Sequence, residues 1–394
     1  MSAKKYFLLL GILFLCLGQA VYGWTGKTRL TWLSGSSQNP RTAVDSDRTL
    51  FVVWHDNTPG NKEIYFKKRI LMPPLGDPLW ITARRLTWTA GESTHPVVCV
   101  DNNDVIHLVW TDNTPGPSSI YYKKSTDHGN TWSVPKRLTW SIRNYGYSDI
   151  AVDSSGGVYV VFKVLSGTVG LDFYMKKSLD GGVTWLPLKR LTWNARRLGI
   201  PSLVVDGLDQ IHLVWVMGDM YSREVFHKNS TDGGVTWTVV HRLTWHPDNS
   251  SPDIAVDGSG GLHVVWNNED ATGKNVYYKY SMNGGLSWTG TRKLVWSGQA
   301  VNPKIAAAGN DGLYIAWSDC KLGYYEIYFR RSQDSGSSWA SIERLTWGVA
   351  SSHSPHVSIS DGLNIRDIHV VWSDSEPGNY EIFHKMDQEG KIKN

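Results

Sequence analysis

Two neighbouring parts of the chain concentrate side chains that can bind anions and sugars. The first comprises "SIRNYGYSD" at 141–149 and "VFKVLSGTVGLD" at 161–172, and the second "NARRLGIPS" at 194–202 and "VWVMGDMYSRE" at 214–224. Their ionisable and aromatic groups are Arg143, Tyr145, Tyr147, Lys163, Arg196, Arg197, Asp219, Tyr221, Arg223 and Glu224. Guanidinium groups hold carboxylates or sulfates bidentately, and tyrosine rings can stack on sugars. We therefore expect a site for a glycan or another extracellular polymer, formed by Arg143, Tyr145, Tyr147, Arg196, Arg197, Tyr221 and Arg223.

A four-residue motif, Arg-Leu-Thr-Trp, indicates the framework that positions these segments. It begins at Arg29, Arg85, Arg137, Arg190, Arg242 and Arg344, and a variant, Lys-Leu-Val-Trp, begins at Lys293. Successive copies are 51 to 56 residues apart, a period typical of propellers and solenoids. Each unit reads as four short apolar strands bounded by turn residues, without a helical period. The sequence predicts an all-β fold, a β-propeller of four-stranded antiparallel blades.

The two ends of the chain predict how the propeller closes. "WTGKTRLTW", at 24–32, is a seventh copy of the outermost strand and lies near the start of the chain. After the last full unit, "PHVSISD", "IHVVWSD" and "EIFHKMD" supply three strands without a fourth. The N-terminal strand should therefore complete the last blade, which also removes an open sheet edge. We predict seven blades in a single domain spanning 24–394.

A second motif occupies the turn before each outermost strand. Five segments fit S-x-[DN]-x-G-x-x-W, for example "STDGGVTW" at 230–237. The acidic or amide side chain can bind turn amides, glycine takes a positive φ, and tryptophan packs over the hairpin. The motif resembles the Asp box, or BNR repeat, of sialidase-like propellers. The resemblance implies that the box is structural and lies on the face opposite the ligand site.

The same resemblance implies an enzymatic alternative, a sialidase-like glycoside hydrolase. Arg143, Arg197 and Arg223 would then hold the substrate carboxylate. The remaining roles would fall to Tyr147 or Tyr221 with Glu224 as the nucleophile pair, and to Asp219 as the acid/base. The Arg-Ile-Pro motif of sialidases corresponds here to Gly199-Ile200-Pro201. A third hypothesis is a non-catalytic scaffold that binds proteins along its rim.

The 20 tryptophans follow the repeat closely. Each unit has three tryptophan positions, at the end of its second strand and at both ends of its fourth, and Phe162 occupies one of them. We interpret most of these residues as packing between blades, with some exposed at the rim as sugar platforms. The repeated arginine should act as a cationic guard on the edge strand. The aspartates of the W-x-D pattern, such as Asp56, should cap turns.

Composition and the N-terminus restrict the environment and the partners. Two lysines, an apolar run at 6–17 and small residues up to Gly23 form the pattern of a secretory signal peptide at 1–23, so we expect a secreted or periplasmic protein. Removing Lys4 and Lys5 lowers the formal charge from +4 to +2, which argues against a nucleic-acid partner. After cleavage we expect no transmembrane segment. We also expect the protein to be a monomer. Cys99 and Cys320 do not form a disulfide framework, and no sequence pattern indicates a metal or another cofactor.

Overall fold

The computed structural model describes residues 23–390, apart from 72–77, 115, 141, 166–170, 194–197, 220–221 and 363–364. The described residues form seven antiparallel sheets and 29 strands. Blade one consists of β2 (Ser37–Val44), β3 (Leu50–Asp56), β4 (Glu63–Leu71), β5 (Pro78–Trp80) and β6 (Arg84–Arg85). Blade two consists of β7 (Ser93–Val100), β8 (Ile106–Asp112), β9 (Ser119–Ser125) and β10 (Lys136–Arg137). Blade three consists of β11 (Tyr145–Val152), β12 (Val158–Val164), β13 (Phe173–Ser178) and β14 (Lys189–Arg190).

The remaining strands repeat the same order. Blade four consists of β15 (Ser202–Val205), β16 (Ile211–Met217), β17 (Glu224–Ser230) and β18 (His241–Arg242). Blade five consists of β19 (Asn249–Val256), β20 (Leu262–Asp270), β21 (Gly273–Ser281) and β22 (Arg292–Lys293). Blade six consists of β23 (Ala300–Ala308), β24 (Gly312–Asp319), β25 (Glu326–Ser332) and β26 (Glu343–Arg344). Blade seven is formed by β27 (Ser352–Asp361), β28 (Ile365–Asp374), β29 (Glu381–Gly390) and β1 (Thr28–Arg29).

Ring closure occurs as predicted. The last sheet has the order β1-β29-β28-β27, with Thr28 opposite His384 and Arg29 opposite Phe383. Leu30 is buried among residues of the first and last blades. The two ends of the chain therefore build one blade together, and the seven-bladed β-propeller is confirmed.

The outermost strands are shorter than the sequence pattern suggested. Each motif contributes a two-residue ladder, and blade one adds β5. In blade two, Ser133 N donates to Lys124 O and Leu138 N donates to Ile120 O. The chain on either side of β10 is therefore hydrogen-bonded to β9. Between these bonds it passes through Pro135, which has no N–H to donate.

The hydrophobic core lies between adjacent blades. The tryptophan that ends the second strand is buried in six blades, and Phe162 is buried at the same position in blade three. The Asp-box tryptophans pack on the preceding blade, as shown by Trp132 on Phe66 and Trp185 on Tyr122, with ring centroids 5.3 and 5.0 Å apart. For these two positions, packing between blades is confirmed.

The third tryptophan position is the one exposed at the rim. The tryptophans that end the motif are 64–69% exposed; they are Trp32, Trp88, Trp140, Trp193, Trp245, Trp296 and Trp347. Each follows the two-residue ladder of an outermost strand. Packing between blades therefore holds for the other two positions, and exposure at the rim holds for these seven residues.

The first three motif residues each have an internal role. In blade one, Arg85 Nη2 donates to Glu63 Oε1 over 2.8 Å, and Arg85 Nε donates to Thr87 O. Thr87 Oγ1 accepts from Ile64 N over 2.8 Å, and Leu86 is buried. The arginine therefore ties the outermost strand to the third strand of its own blade, a role not anticipated in the interpretation as an edge guard.

This contact recurs with small variations around the ring. Arginine pairs with a carboxylate in five blades: Arg29 with Glu381, Arg85 with Glu63, Arg190 with Asp172, Arg242 with Glu224 and Arg344 with Glu326. Lys293 pairs with Asp270, and Arg137 donates to the hydroxyl of Ser119. The outermost strand is thus held by an ion pair in most blades and by a neutral acceptor in blade two.

A lysine or arginine on the third strand links neighbouring blades. Its terminal nitrogen donates to the carbonyl of the motif leucine of the preceding blade, and the described pairs are Lys67 with Leu30, Lys123 with Leu86, Lys228 with Leu191, Lys279 with Leu243 and Arg330 with Leu294. Burial lowers the pKa of all four lysines. The motif therefore serves the next blade as well as its own.

The Asp boxes and W-x-D aspartates have the predicted structural roles. Asp127 accepts from Thr131 N and Thr131 Oγ1, and Gly129 N at φ 81° donates to Ser125 Oγ. Asp56 caps its turn by accepting from Thr58 N over 2.7 Å. Cys99 and Cys320 are both free thiols. Within the described ranges, no helix has the length and apolarity to cross a membrane.

The ion pair and its neutral counterpart in blade two allow a matched test. Arg85→Ala leaves the buried Glu63 carboxylate without its cation, which should cost about 3 kcal/mol. Arg137→Ala removes a hydrogen bond to Ser119 and should cost about 1 kcal/mol. The guanidinium carbon of each arginine lies over a motif tryptophan, 5.6 and 5.8 Å from the ring centroid. Both variants lose this cation–π contact, so it does not contribute to the difference between them. Denaturant midpoints at unchanged slope measure the difference, and equal losses would contradict this role of the carboxylate.

Candidate functional site at the channel mouth

The first strands of the blades surround the central channel, and six of them carry a β-bulge near their start. At each bulge a residue other than glycine has positive φ: Asn39, His95, Tyr147, Ser251, Asn302 and Ser354. In five blades the next residue is proline, but Ser148 follows Tyr147. Positive φ is rare for a residue as large as tyrosine. All six residues therefore lie at the end of the channel where the innermost strands begin, which we call the top mouth.

A second ring of side chains lies two residues further along each bulged strand. Including the matching position in blade four, it consists of Arg41, Val97, Asp149, Ser202, Asp253, Lys304 and His356. Asp253 accepts from Lys304 Nζ at 2.7 Å and from Ile305 N at 2.9 Å, and Asp149 accepts from Leu203 N at 2.8 Å. These contacts join the first strands of neighbouring blades.

The channel charges influence one another across the ring. Burial raises the pKa of Asp149 to about 6, against the opposing effect of the Leu203 amide and Lys304. Burial lowers the pKa of Arg41, which the carboxylates of Asp253 and Asp149 partly offset. His356 Nδ1 lies 2.8 Å from Thr42 Oγ1, and burial keeps its pKa well below the usual range. Two cations and two carboxylates thus share a narrow polar channel.

Tyr147 is the centre of a cluster at the junction of blades two and three. Its ring centroid lies 4.8 Å from that of His95, with the rings at 64°. Lys163 Nζ lies 5.7 Å from the Tyr147 centroid and donates to Leu198 O over 2.6 Å. The His55 ring lies 6.0 Å from His95 on the other side. An aromatic face, a cation and two imidazoles therefore meet at the mouth.

Both histidines of this cluster are neutral at physiological pH. Burial, and then the charges of Arg41 and Lys62, lower the pKa of His95 to about 4. Burial, and then His95 and Lys62, lower the pKa of His55 to about 3. A neutral imidazole can accept as well as donate a proton. Burial also lowers the pKa of Lys163.

A cavity of about 130 Å³ opens beside the cluster. His95, Tyr147, Thr111 and Gly146 line it, together with Ser118 and other polar residues of blade two. Thr111 Oγ1 is buried there without a hydrogen-bond partner. A Cβ on Gly146 would lie 2.7 Å from Leu165 Cδ1, so a side chain at position 146 would clash with Leu165 in the cavity wall. The cavity can take a small polar group and offers it a hydroxyl, an imidazole and an aromatic face.

The structure brings some of the predicted site residues together. Tyr147 and Lys163 meet, as described, and Arg143 Nη1 lies nearby in the chain and donates to Tyr174 OH over 3.2 Å. Tyr145 is buried between blades, with its ring 5.4 Å from that of Phe162, and so lies in the core. Arg196, Arg197 and Tyr221 lie outside the described residues, so their assignment to the site stays a prediction.

The residues predicted in blade four lie apart from this cluster. Glu224 is buried and is the carboxylate partner of Arg242, the structural pair found in four other blades. Arg223 Nε is buried without a hydrogen-bond partner, and its carbonyl accepts from Asn249 N. Asp219 is exposed, and its carbonyl accepts from Ser222 N. The sialidase-like set of three arginines includes Arg197 and therefore stays untested.

Sequence reasoning missed His55, His95, Arg41 and Asp149. The signal that could have found His95 is the residue before proline in "STHPVV", which aligns with Asn39, Ser251, Asn302 and Ser354 in the other blades. His55 is the middle residue of a W-x-D pattern, between the buried Trp54 and the turn-capping Asp56. Among the described residues, no group of three or more metal-ligating side chains is assembled.

The repeat, the box turns and the sheet order agree with a comparison of the sequence with known families. Residues 76–274 match the family described as a BNR repeat-like domain. The chain belongs to the BNR repeat-like family. No curated protein matches this BNR repeat-like propeller in sequence.

Solved structures similar to the BNR repeat-like propeller share its fold at low sequence identity. An ulvan lyase, "PL25-Ulvanlyase bound to -[GlcA(1-4)Rha3S]-", has a TM-score of 0.63 at 12% identity, covering 91% of this chain and 95% of its own. A Penicillium chrysogenum α-L-arabinanase complexed with arabinobiose has a TM-score of 0.56 at 13% identity, covering 80% and 99%. The Hadza microbial sialidase Hz136 has a TM-score of 0.54 at 14% identity, covering 85% and 76%.

The depressed pKa of His95 gives a prediction for acid stability. The unfolded chain binds a proton near pH 6.5 and folded His95 only near pH 4, so this residue should reduce the free energy of unfolding as pH falls between those values. His95→Gln should therefore be more stable, relative to wild type, at pH 4.5 than at pH 7.5.

His128 provides a control of opposite sign. Asp45 accepts a hydrogen bond from it and raises its pKa, so its contribution is fully present below the unfolded pKa and is lost as pH rises through the folded pKa. His128→Gln should lose more stability at pH 5 than at pH 8.5. Urea unfolding at each pH measures both variants, and a parallel pH response of the two variants would contradict the assigned protonation states.

Proposed function

We propose that this propeller binds an acidic saccharide at the top mouth of its channel. The observation that carries the proposal is the Tyr147 cluster: an aromatic face with Lys163 Nζ 5.7 Å from its centroid and the His95 ring 4.8 Å away, beside a 130 Å³ cavity. A sugar ring can stack on the tyrosine while its carboxylate or sulfate meets the ammonium group of Lys163. Such a site would be part of a glycan-binding or glycan-processing protein.

Similar propellers support the carbohydrate class. The ulvan lyase was solved with a glucuronate-containing saccharide, the arabinanase with arabinobiose, and another neighbour is named a sialidase. The mouth of this chain differs from a purely neutral sugar site because Lys163 and Arg41 lie close to Tyr147 and His95. Because similar propellers include lyases and glycosidases, binding and turnover should be measured together.

Lys163→Met should weaken binding of uronate polymers by at least about 10-fold, because an ion pair in a half-buried site is lost. Tyr147→Ala should weaken it similarly and Tyr147→Phe much less, since stacking needs the ring. Lys124→Met is the matched control, because Lys124 Nζ donates to Gly181 O at the Asp-box face. Isothermal titration with alginate, pectate and hyaluronan oligosaccharides at low and high salt gives the affinities.

The outcome of that titration separates the hypotheses. Affinity that falls with salt and with Lys163→Met supports the acidic-saccharide site, and equal binding by Lys163→Met and Lys124→Met overturns it. Release of unsaturated or reducing ends during the titration would make the protein an enzyme. Hydrolysis of a fluorogenic sialoside that is lost in Arg197→Ala would instead favour the sialidase-like alternative.

We further propose that the protein is exported and works outside the cytoplasm. The signal-peptide pattern at 1–23 supports this, and the ring itself begins with the closing strand at Thr28. Cleavage near Trp24 would leave that strand intact, because Thr25 N already donates to Met386 O. N-terminal sequencing of the exported protein should begin close to Trp24. A mature start beyond Trp32 would remove β1 and contradict the proposed cleavage.

A further inference from the structure

The first three residues of the repeated motif make contacts inside the protein, whereas the last residue, tryptophan, is exposed. In blade three, Arg190 pairs with Asp172, Leu191 is buried and Thr192 Oγ1 accepts from Phe173 N. Trp193 is 65% exposed. The same division holds in the other blades, where all seven motif tryptophans are about two-thirds exposed. Large exposed aromatic residues repeated this regularly indicate a contact surface rather than a core.

These tryptophans are held in place by cations. The guanidinium carbon of the motif arginine lies 5.6 to 5.9 Å from the ring centroid of the motif tryptophan in six blades. A lysine of the next blade approaches three of the same rings: Lys67 at Trp32, Lys279 at Trp245 and Lys385 at Trp347, at 4.9 to 5.3 Å. Cation–π contact with a fixed arginine orients the indoles of these six blades, so little side-chain entropy remains to be lost there on binding.

Grooves accompany these rings at the blade junctions. Between blades three and four, a groove of about 530 Å³ is lined by Trp193, Lys228 and Trp237. Between blades two and three, a groove of about 450 Å³ is lined by the corresponding residues Trp140, Lys176 and Trp185. Each groove thus combines an exposed indole of one blade with a lysine and an Asp-box tryptophan of the next.

Most cations at these grooves are already bound within the protein, which favours an uncharged ligand. The motif arginines of five blades are neutralised by a carboxylate on or next to the adjacent strand, and Lys293 is neutralised by Asp270. Arg137 instead donates to the hydroxyl of Ser119, and the groove lysine Lys228 donates to the carbonyl of Leu191. What remains at each position is an apolar indole face beside N–H donors. The C–H face of a neutral pyranose and its hydroxyl groups match these two features. This chemistry differs from that of the channel mouth, where Lys163 is not paired with a carboxylate in its described contacts.

The sevenfold repetition favours a ligand that repeats as well. The platforms occur once in each blade, at the end of its outermost strand. We propose that the ring of motif tryptophans, Trp32, Trp88, Trp140, Trp193, Trp245, Trp296 and Trp347, is a multivalent binding surface for a neutral polysaccharide. Each platform binds one or two sugar units weakly, and simultaneous contact of several platforms with one polymer or one polymer surface produces useful affinity.

The experiment compares tryptophan variants of the exported protein in depletion assays with insoluble cellulose, chitin, mannan, xylan and β-1,3-glucan. Trp193→Ala should bind only a few-fold less than wild type, because the other platforms remain. The triple variant Trp88→Ala, Trp140→Ala, Trp193→Ala should bind on the order of 100-fold less, and the corresponding Trp→Phe triple should retain part of the affinity. Binding should change little with salt, since the polymers carry no charge.

Two controls assign the result to the rim. A triple change to serine at Leu179, Val183 and Leu286 alters exposed apolar residues of the Asp-box turns that line neither of the two grooves, so this variant should bind like wild type. Lys163→Met changes the channel mouth and should leave binding of neutral polymers intact, so failure of the acidic-saccharide site and failure of the rim are distinguishable. Circular dichroism and thermal unfolding of the tryptophan and Asp-box variants should match wild type closely, because the substituted side chains are exposed.

Three outcomes would overturn the proposal. They are wild-type protein that binds none of the five polymers, a tryptophan triple variant that binds as well as wild type, and loss of neutral-polymer binding in Lys163→Met. Loss in the tryptophan variants alone, with a graded dependence on the number of platforms removed, supports it.

Discussion

Closure of the ring is the constraint on which the rest of this structure depends. Six blades can form from consecutive residues, but the seventh needs β1 from one end of the chain and β27 to β29 from the other. Pairing of Thr28 with His384 and burial of Leu30 between the first and last blades join the two ends. Without that join, the first and last blades would expose their facing hydrophobic surfaces and an unpaired strand edge. The central channel and the mouth exist because the ring closes.

Within the ring, the repeat divides each unit into positions that face neighbours and positions that face solvent. The second-strand tryptophans and the Asp-box tryptophans fill the space between blades. The motif arginine joins two strands of one blade, and the third-strand lysine joins two blades through the leucine carbonyl. These contacts use the backbone and buried carboxylates as fixed partners, so the framework can be identical in every blade while the loops differ.

Two surfaces with different electrostatics result from this framework. At the mouth, His95 and Lys163 contact Tyr147, and the second ring of channel side chains holds Arg41 and Lys304 together with the carboxylates of Asp149 and Asp253. At the rim, cations stand beside exposed indoles but most are neutralised within the blade. One surface is unique to the junction of blades two and three, and the other is repeated around the ring. A protein with both could hold a polymer along its rim while it contacts an acidic unit at its mouth.

The sequence by itself determined the number of blades, the shared last blade, the Asp-box turns and the turn-capping aspartates. These features depend on residues that are close together in the chain, on alternation of apolar residues and on turn chemistry that glycine, aspartate and proline specify locally. The count of motif copies at the two ends was enough to predict closure.

Tertiary structure decided which tryptophans are exposed, where the motif arginine points and which side chains meet at the mouth. All tryptophans look alike in the repeat, and exposure depends on whether the neighbouring blade reaches the ring of a given residue. The carboxylate partner of Arg85 is Glu63, 22 residues away on another strand. His95 and Tyr147 belong to different blades, about one repeat apart, and meet because both bulges lie at the same mouth. Contacts between units depend on the curvature of the ring, which no single repeat encodes.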